Sequence, residues 1–137
     1  EEPPTPTKLT ALRRLPGGER LGVFGGMNAM YFLEELGRGA IGVMTGFAFP
    51  DILVEVYERF RRGDAAGAAA VYDRYASFIR YEGQQGLALA FRKEVLRRRG
   101  AIRTAFVRPP GPVLDDVTRA ELAATLEPLG LAAQLAR

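Results

Sequence analysis

Residues Arg20–Pro50 read RLGVFGGMNAMYFLEELGRGAIGVMTGFAFP, and this stretch decides the fold. It holds two short apolar runs, Leu21–Phe24 and Ala40–Met44, each closing on glycine or a small residue. Apolar runs of this length bounded by glycine predict buried strands. Between them, Asn28–Gly37 has a helical pattern that stops at the breaker Gly37-Arg38-Gly39. Strand, short helix, strand is the repeating unit of a parallel sheet covered by helices, which makes the expected fold class α/β. Neither run alternates apolar with polar residues, so both strands are expected to be buried on both faces. Ligands bind where the strands of such sheets end, which directs attention to Gly25-Gly26 and Thr45-Gly46.

Working outward, Glu1-Glu2-Pro3-Pro4 cannot be helical, and Thr5 is a good N-cap with Pro6 at the first helical position. The helix it opens carries Leu9, Leu12 and Leu15 at helical spacing and stops at Pro16-Gly17-Gly18. On the other side, Pro50-Asp51 open a helix with the apolar stripe Ile52, Leu53, Val56, Tyr57 and Phe60, closed by Arg61-Arg62-Gly63. Asp64 caps an alanine-rich helix that leads into Val71, Tyr72, Tyr75, Phe78 and Ile79, before a break at Glu82–Gly86. A further helix is expected over Leu87–Arg99, and the proline-rich segment from Gly100 to Leu114 is a loop. Asp115 and Asp116 start a last helix, with Val117, Leu122 and Leu126 inward, that runs to Pro128 or Gly130.

The composition excludes several chemistries. Cysteine and histidine are both absent, which removes disulfides, thiolate catalysis, the usual zinc ligands and the commonest general base. No metal site is expected, and any catalysis falls to lysine, tyrosine, carboxylates, hydroxyls or backbone groups. No apolar run approaches the ~20 residues of a membrane span, and no signal peptide is visible, so the expected compartment is the cytoplasm. The net charge of +3 arises from 17 arginines and only two lysines, Lys8 and Lys93, against 16 acidic residues. The arginine cluster at Arg92–Arg108 lacks any accompanying nucleic-acid motif and reads as a helix C-terminus whose cations complement the dipole.

Other candidates read as structural. Both lysines lie on polar helix faces beside other charges, where nothing would depress their pKa. Glu34-Glu35 and Asp115-Asp116 are adjacent pairs whose side chains point about 100° apart, so they read as solvated faces or helix-start charges. Tyr72, Tyr75 and Tyr81 are expected in the core. Gly22…Gly25-Gly26 is not a dinucleotide fingerprint, since no acidic residue follows at the right distance.

Gly25-Gly26-Met27-Asn28, followed by Arg38-Gly39-Ala40-Ile41-Gly42-Val43-Met44-Thr45-Gly46, resembles the last two barrel strands of the dihydrodipicolinate synthase/N-acetylneuraminate lyase family. Phe60-Arg61-Arg62-Gly63-Asp64-Ala65-Ala66 resembles that family's junction between two C-terminal helices, and the helices and proline-rich loop that follow come in the same order. The resemblance implies the C-terminal half of a (β/α)8 TIM barrel, strands 7 and 8, followed by extra C-terminal helices. Residues 1–62 would supply helix 6, strand 7, helix 7, strand 8 and helix 8, and residues 63–137 the helical extension. It further implies class I Schiff-base chemistry, in which a lysine condenses with pyruvate or another 2-keto acid. That lysine would stand immediately before Glu1 and the catalytic tyrosine further upstream, so that no catalytic residue lies within the chain.

By the same resemblance, Gly25 is the glycine whose carbonyl faces the keto acid, and Thr45 is the threonine at the end of the eighth strand. Gly25, Gly26, Asn28, Gly42 and Thr45 are then substrate-binding, while Met27, Met44 and Phe47 line the pocket. Gly42 stands where many members have isoleucine, which leaves room for a bulkier substrate. Met27 and Asn28 replace the acids with which sialic-acid lyases bind sugar hydroxyls, which argues against sialic acid. Asn28 has a second reading as the N-cap of the following helix, and Phe47 and Phe49 a second reading as core. The implied partners are a 2-keto acid and an aldehyde or sugar acid, in a homodimer or homotetramer without cofactor, nucleic acid or membrane. The rival reading is a non-catalytic helical interaction domain with residues 92–108 as its contact surface.

Overall fold

A computed structural model describes residues 5–132. Among them are six α-helices: α1 (Thr5–Arg13), α2 (Phe32–Gly37), α3 (Pro50–Arg61), α4 (Ala65–Glu82), α5 (Ala88–Arg98) and α6 (Asp116–Leu126). None is long and apolar enough to cross a membrane. The chain forms two compact units, one of residues up to Thr45 with Phe49–Ala76, the other of Gly46–Ala48 with the residues from Ser77 onward.

In the first unit the two extended segments meet in parallel, but they pair far less than the apolar runs predict. A single parallel bridge joins Gly25 to Val43, and no longer strand occurs among the described residues. The Gly25 N–H donates to the Gly42 carbonyl and the Gly25 carbonyl accepts from the Met44 N–H, each at 2.9 Å. One step earlier the Val23 carbonyl accepts from the Ile41 N–H, also at 2.9 Å. Acceptors 23 and 25 are two residues apart, whereas donors 41 and 44 are three apart. The second segment therefore carries one extra residue around Gly42-Val43, a bulge that interrupts the ladder. Burial on both faces is also corrected: Leu21, Phe24, Ile41 and Met44 are 50%, 46%, 43% and 71% exposed. A lone pair of segments has no neighbouring strand or second helix layer to cover both faces.

The helices follow their caps. The Asp64 carboxylate accepts from the Gly67 N–H at 2.9 Å to open α4, and Asp115 accepts from the Thr118 N–H at 2.7 Å to open α6. These N–H bonds hold both carboxyls below the usual aspartate range. Pro50 stands at the start of α3, whose Ile52, Leu53 and Val56 are buried as its stripe predicts. Three expected apolar positions are corrected. Leu9 is buried on α1, but Leu12 and Leu15 are 38% and 56% exposed, and Val117 on the first turn of α6 is 69% exposed. The capping position of Thr5 involves residues outside those described. Helix α4 ends at Glu82, the first residue of the expected break, and the Glu82 side chain is wholly buried.

In the second unit, Gly46–Ala48 is held by side chains from α4, α5 and the turn after α5. Glu82 Oε1 accepts from the Ala48 N–H at 3.0 Å, and Arg99 donates to the Ala48 carbonyl. The Arg92 guanidinium lies against Gly46, where a Cβ would come within 2.5 Å of it. Phe47 packs on Phe78 with ring centroids 5.6 Å apart. Glu94, also buried, accepts from Arg97 at 2.9 and 3.0 Å and from Arg98 at 2.8 Å, with Arg119 of α6 at 3.5 Å. The arginine run thus serves the end of its own helix and the buried acid beneath it.

Candidate active site

The residues selected from the sequence converge where the parallel pair ends, except for Phe47, which is buried in the second unit. Gly25 is the bridging residue, and its carbonyl accepts the Met44 ladder bond. Its missing side chain matters because a Cβ there would lie 1.8 Å from a Glu35 carboxylate oxygen. Glu35 itself was expected on a solvated face; it is instead fully buried on α2, with Oε1 accepting from the Gly26 N–H at 3.3 Å. Glu34 is exposed, as adjacent helical positions diverge.

After Gly26 the backbone turns left-handed for three consecutive non-glycine residues: Met27 (φ 49°), Asn28 (φ 57°) and Ala29 (φ 67°). The left-handed conformation brings Cβ against the carbonyl oxygen and costs on the order of 1 kcal/mol per residue. The predicted helix over Asn28–Gly37 is therefore shortened to Phe32–Gly37, and its N-cap position is Tyr31, not Asn28. The Asn28 side chain faces the other segment, where Thr45 Oγ1 donates to its Oδ1 at 3.1 Å. Strained backbone beside a pair of polar side chains at the end of a parallel ladder is the kind of place where sites are built.

Tyr72, expected as apolar core, is buried but makes polar contacts. Its hydroxyl lies 2.9 Å from the Ala29 carbonyl and 2.7 Å from the Met30 carbonyl. Burial, with a smaller contribution from Glu34, pushes the phenol upward, so it stays protonated as the donor. Neither Glu35 nor Tyr72 was legible as a site residue. Their positions on the helical pattern are ordinary, and only the three-dimensional return to the glycine turn distinguishes them.

A cavity of about 230 Å³ adjoins the turn in the first unit, lined by Phe24, Phe32, Gly42, Thr45, Leu53 and Tyr57 among others. At Gly42 the space left by the absent side chain is taken by the Phe24 ring, 2.9 Å from where a Cβ would stand. Met44, expected to line the pocket, is not among the residues that line this cavity and is 71% exposed. A larger cavity of about 370 Å³ in the second unit contains Arg97 and Arg119, both engaged with Glu94, and none of the selected residues. Lys8 is exposed on α1, and Lys93 Nζ donates to the Phe106 carbonyl. Among the described residues no group of acids could hold a metal ion.

Among the described residues the chain is mostly helical, with one parallel bridge and a glycine turn at its end. No protein-family model matches the chain. It is 37% identical over 134 residues to the L-2-keto-3-deoxyarabonate dehydratase of Azospirillum brasilense, which is 96% of this chain and 43% of that protein. It is also similar to the crystal structure of dihydrodipicolinate synthase from Rhodopseudomonas palustris, with TM-score 0.85 and 36% identity over 93% of this chain and 43% of that one. Both likenesses support the dihydrodipicolinate synthase family, and the chain spans less than half the length of either relative.

Proposed function

We propose that the chain is the C-terminal half of a class I Schiff-base lyase that dehydrates a 2-keto-3-deoxy sugar acid. Residues 1–62 carry the last part of its (β/α)8 barrel, with strands 7 and 8, and residues 63–137 the helical extension. The observation that carries this reading is the 37% identity to a 2-keto-3-deoxy sugar-acid dehydratase across 96% of the chain. The exposed Leu21, Phe24, Ile41 and Met44 support it, because an open parallel pair leaves apolar side chains that a closed barrel covers.

In this chemistry a lysine amine condenses with the C2 carbonyl of the substrate and releases water. The protonated imine then withdraws electrons as the C3 proton leaves, and the resulting enamine expels the C4 hydroxyl, which departs as water with a proton. With Lys8 exposed and Lys93 bound to a carbonyl, the nucleophile is assigned outside these residues, immediately before Glu1, with the catalytic tyrosine further upstream. Gly25 and Gly26 bring backbone close to the keto-acid end, since glycine has no Cβ to intervene. Asn28 and Thr45 present neutral hydrogen-bonding groups to the hydroxyl-bearing end, where a carboxylate pair would favour a different sugar. Gly42, Met27 and Met44 shape the pocket around them. The active form is a homodimer or homotetramer and needs no organic cofactor, because the imine itself is the electron sink.

The test is to incubate the full gene product with pyruvate and sodium borohydride and to take intact and peptide masses. Reduction of the imine adds about 72 Da to one lysine, pyruvate less water plus two hydrogens. An adduct on the lysine before Glu1 is the expected outcome. No adduct with pyruvate or with longer 2-keto acids refutes the Schiff-base reading and moves the helical interaction domain ahead.

A further inference from the structure

Three consecutive left-handed residues do not hold themselves in place. Inside the turn, the Ala29 N–H donates to the Gly26 carbonyl at 2.9 Å and the Met30 N–H to the Met27 carbonyl at 3.1 Å. Both bonds span three residues and leave the exit of the turn to be fixed from elsewhere. The group that fixes it is the Tyr72 hydroxyl, brought from α4 more than forty residues away and set between the Ala29 and Met30 carbonyl oxygens. Two acceptors and one phenolic proton make this a shared donor bond, so the hydroxyl has no other use for its proton. Ala29 is itself wholly buried, which clamps the same point sterically.

A phenylalanine would fill the same volume as Tyr72, so packing does not account for the hydroxyl. Placing a phenol among apolar neighbours costs desolvation that only a made hydrogen bond offsets. The side chain does not reach the Asn28–Thr45 pair directly. Its bonds lie one and two residues beyond Asn28, on the backbone that decides where the Asn28 carboxamide stands relative to Thr45 Oγ1.

We infer that Tyr72 is a positioning residue: its hydroxyl holds the Gly26–Met30 turn in the left-handed form and thereby sets Asn28 against Thr45 for the hydroxyl-bearing end of the substrate. The inference rests on the proposed function, and it assigns substrate specificity to a residue on a helix of the C-terminal extension. Tyr72 touches no reacting atom.

The test uses the full-length enzyme with Tyr72→Phe, Asn28→Ala and the double variant, assayed with L-2-keto-3-deoxyarabonate. Tyr72→Phe raises KM about tenfold, the effect of one lost hydrogen bond, with kcat changed less than twofold. Borohydride trapping of pyruvate is unchanged, because pyruvate lacks the hydroxyl-bearing carbons. Asn28→Ala raises KM as well, and the double variant is no worse than Asn28→Ala alone. An unchanged KM in Tyr72→Phe, or a double variant with the product of the two effects, overturns the inference. Amide hydrogen exchange supplies an independent readout: Tyr72→Phe speeds exchange at Ala29 and Met30 while Gly25 and Met44 in the ladder keep theirs. Exchange that is unchanged at Ala29 and Met30, or raised equally at all four, refutes the positioning role whatever the substrate. A wild-type enzyme that traps no 2-keto acid defeats the functional reading instead, and the exchange result still decides for or against Tyr72.

Discussion

The buried carboxylate of Glu94 allows a quantitative prediction about acid stability. Hydrogen bonds from Arg97 and then Arg98, with their charges, hold it at about 2 against an ordinary 4.5, in spite of the opposing effect of burial. A depression of that size corresponds to about 3 kcal/mol of folded-state stability. Arg97 and Arg119 are 44% and 40% exposed, so solvent screens part of the attraction, and about 2–3 kcal/mol is expected at neutral pH. The folded pKa is depressed, so this stability is fully present above about pH 4.5 and is lost as the pH falls toward 2. By pH 3 less than half of it, about 1 kcal/mol, remains. Glu94→Gln keeps the volume and one acceptor but removes the charge at every pH. The assay is urea unfolding of the full gene product and its Glu94→Gln variant at pH 7, 5, 4 and 3. Subtracting one from the other cancels the other titrating groups. The difference should hold from pH 7 to 5 and shrink by more than half at pH 3. A difference that stays constant down to pH 3 would refute the argument, since the variant's cost would then be one of shape and not of charge.

Further substitutions at Gly25, Glu35, Asp115 and Gly63 test the remaining geometry. Gly25→Ala drives a methyl into the Glu35 carboxylate and should cost about 2–4 kcal/mol in urea unfolding. Combining it with Glu35→Ala should cost less than the two alone add up to, and simple additivity would count against the contact. Asp115→Ala should lower the thermal midpoint at pH 7, and the effect should fade as the pH falls through the depressed Asp115 pKa, when the wild-type cap is itself protonated. Gly63 turns between α3 and α4 with φ 85° and open space around its missing side chain. Gly63→Ala should therefore cost only the left-handed penalty, about 1 kcal/mol, and a larger loss would point to a contact at that position.

What the sequence made legible were features written in local physics. Asp64 and Asp115 open their helices because a short carboxylate beside free N–H groups has one good use. The stripe on α3 is buried because its period matches the helix. The parallel contact between the two glycine-bounded runs was also readable, down to Gly25 and the segment that begins at Ala40. Its extent was not, because the extra residue at Gly42-Val43 is invisible to a period-two pattern and shows only in the hydrogen-bond register. The helix expected from Asn28 lost its first turn to three left-handed residues, none of them glycine, which no propensity would suggest. The helical pattern puts Glu35 on the surface and Tyr72 in the core, and it shows neither of their polar contacts to the Gly26–Met30 turn. Glu35 bonds a backbone N–H nine residues away and Tyr72 two carbonyls more than forty residues away.

The buried glutamates show how helices support the ends of a parallel pair. Backbone N–H groups beyond the last ladder bond are buried without a strand partner, and each needs an acceptor. Gly26 comes directly after the bridging residue and gives its N–H to Glu35; Ala48, beyond the second segment, gives its N–H to Glu82. In both places a helix supplies a carboxylate, the side chain with the greatest accepting capacity. At the first loop Glu35 bonds the entry of the turn at Gly26 and Tyr72 its exit at Ala29 and Met30.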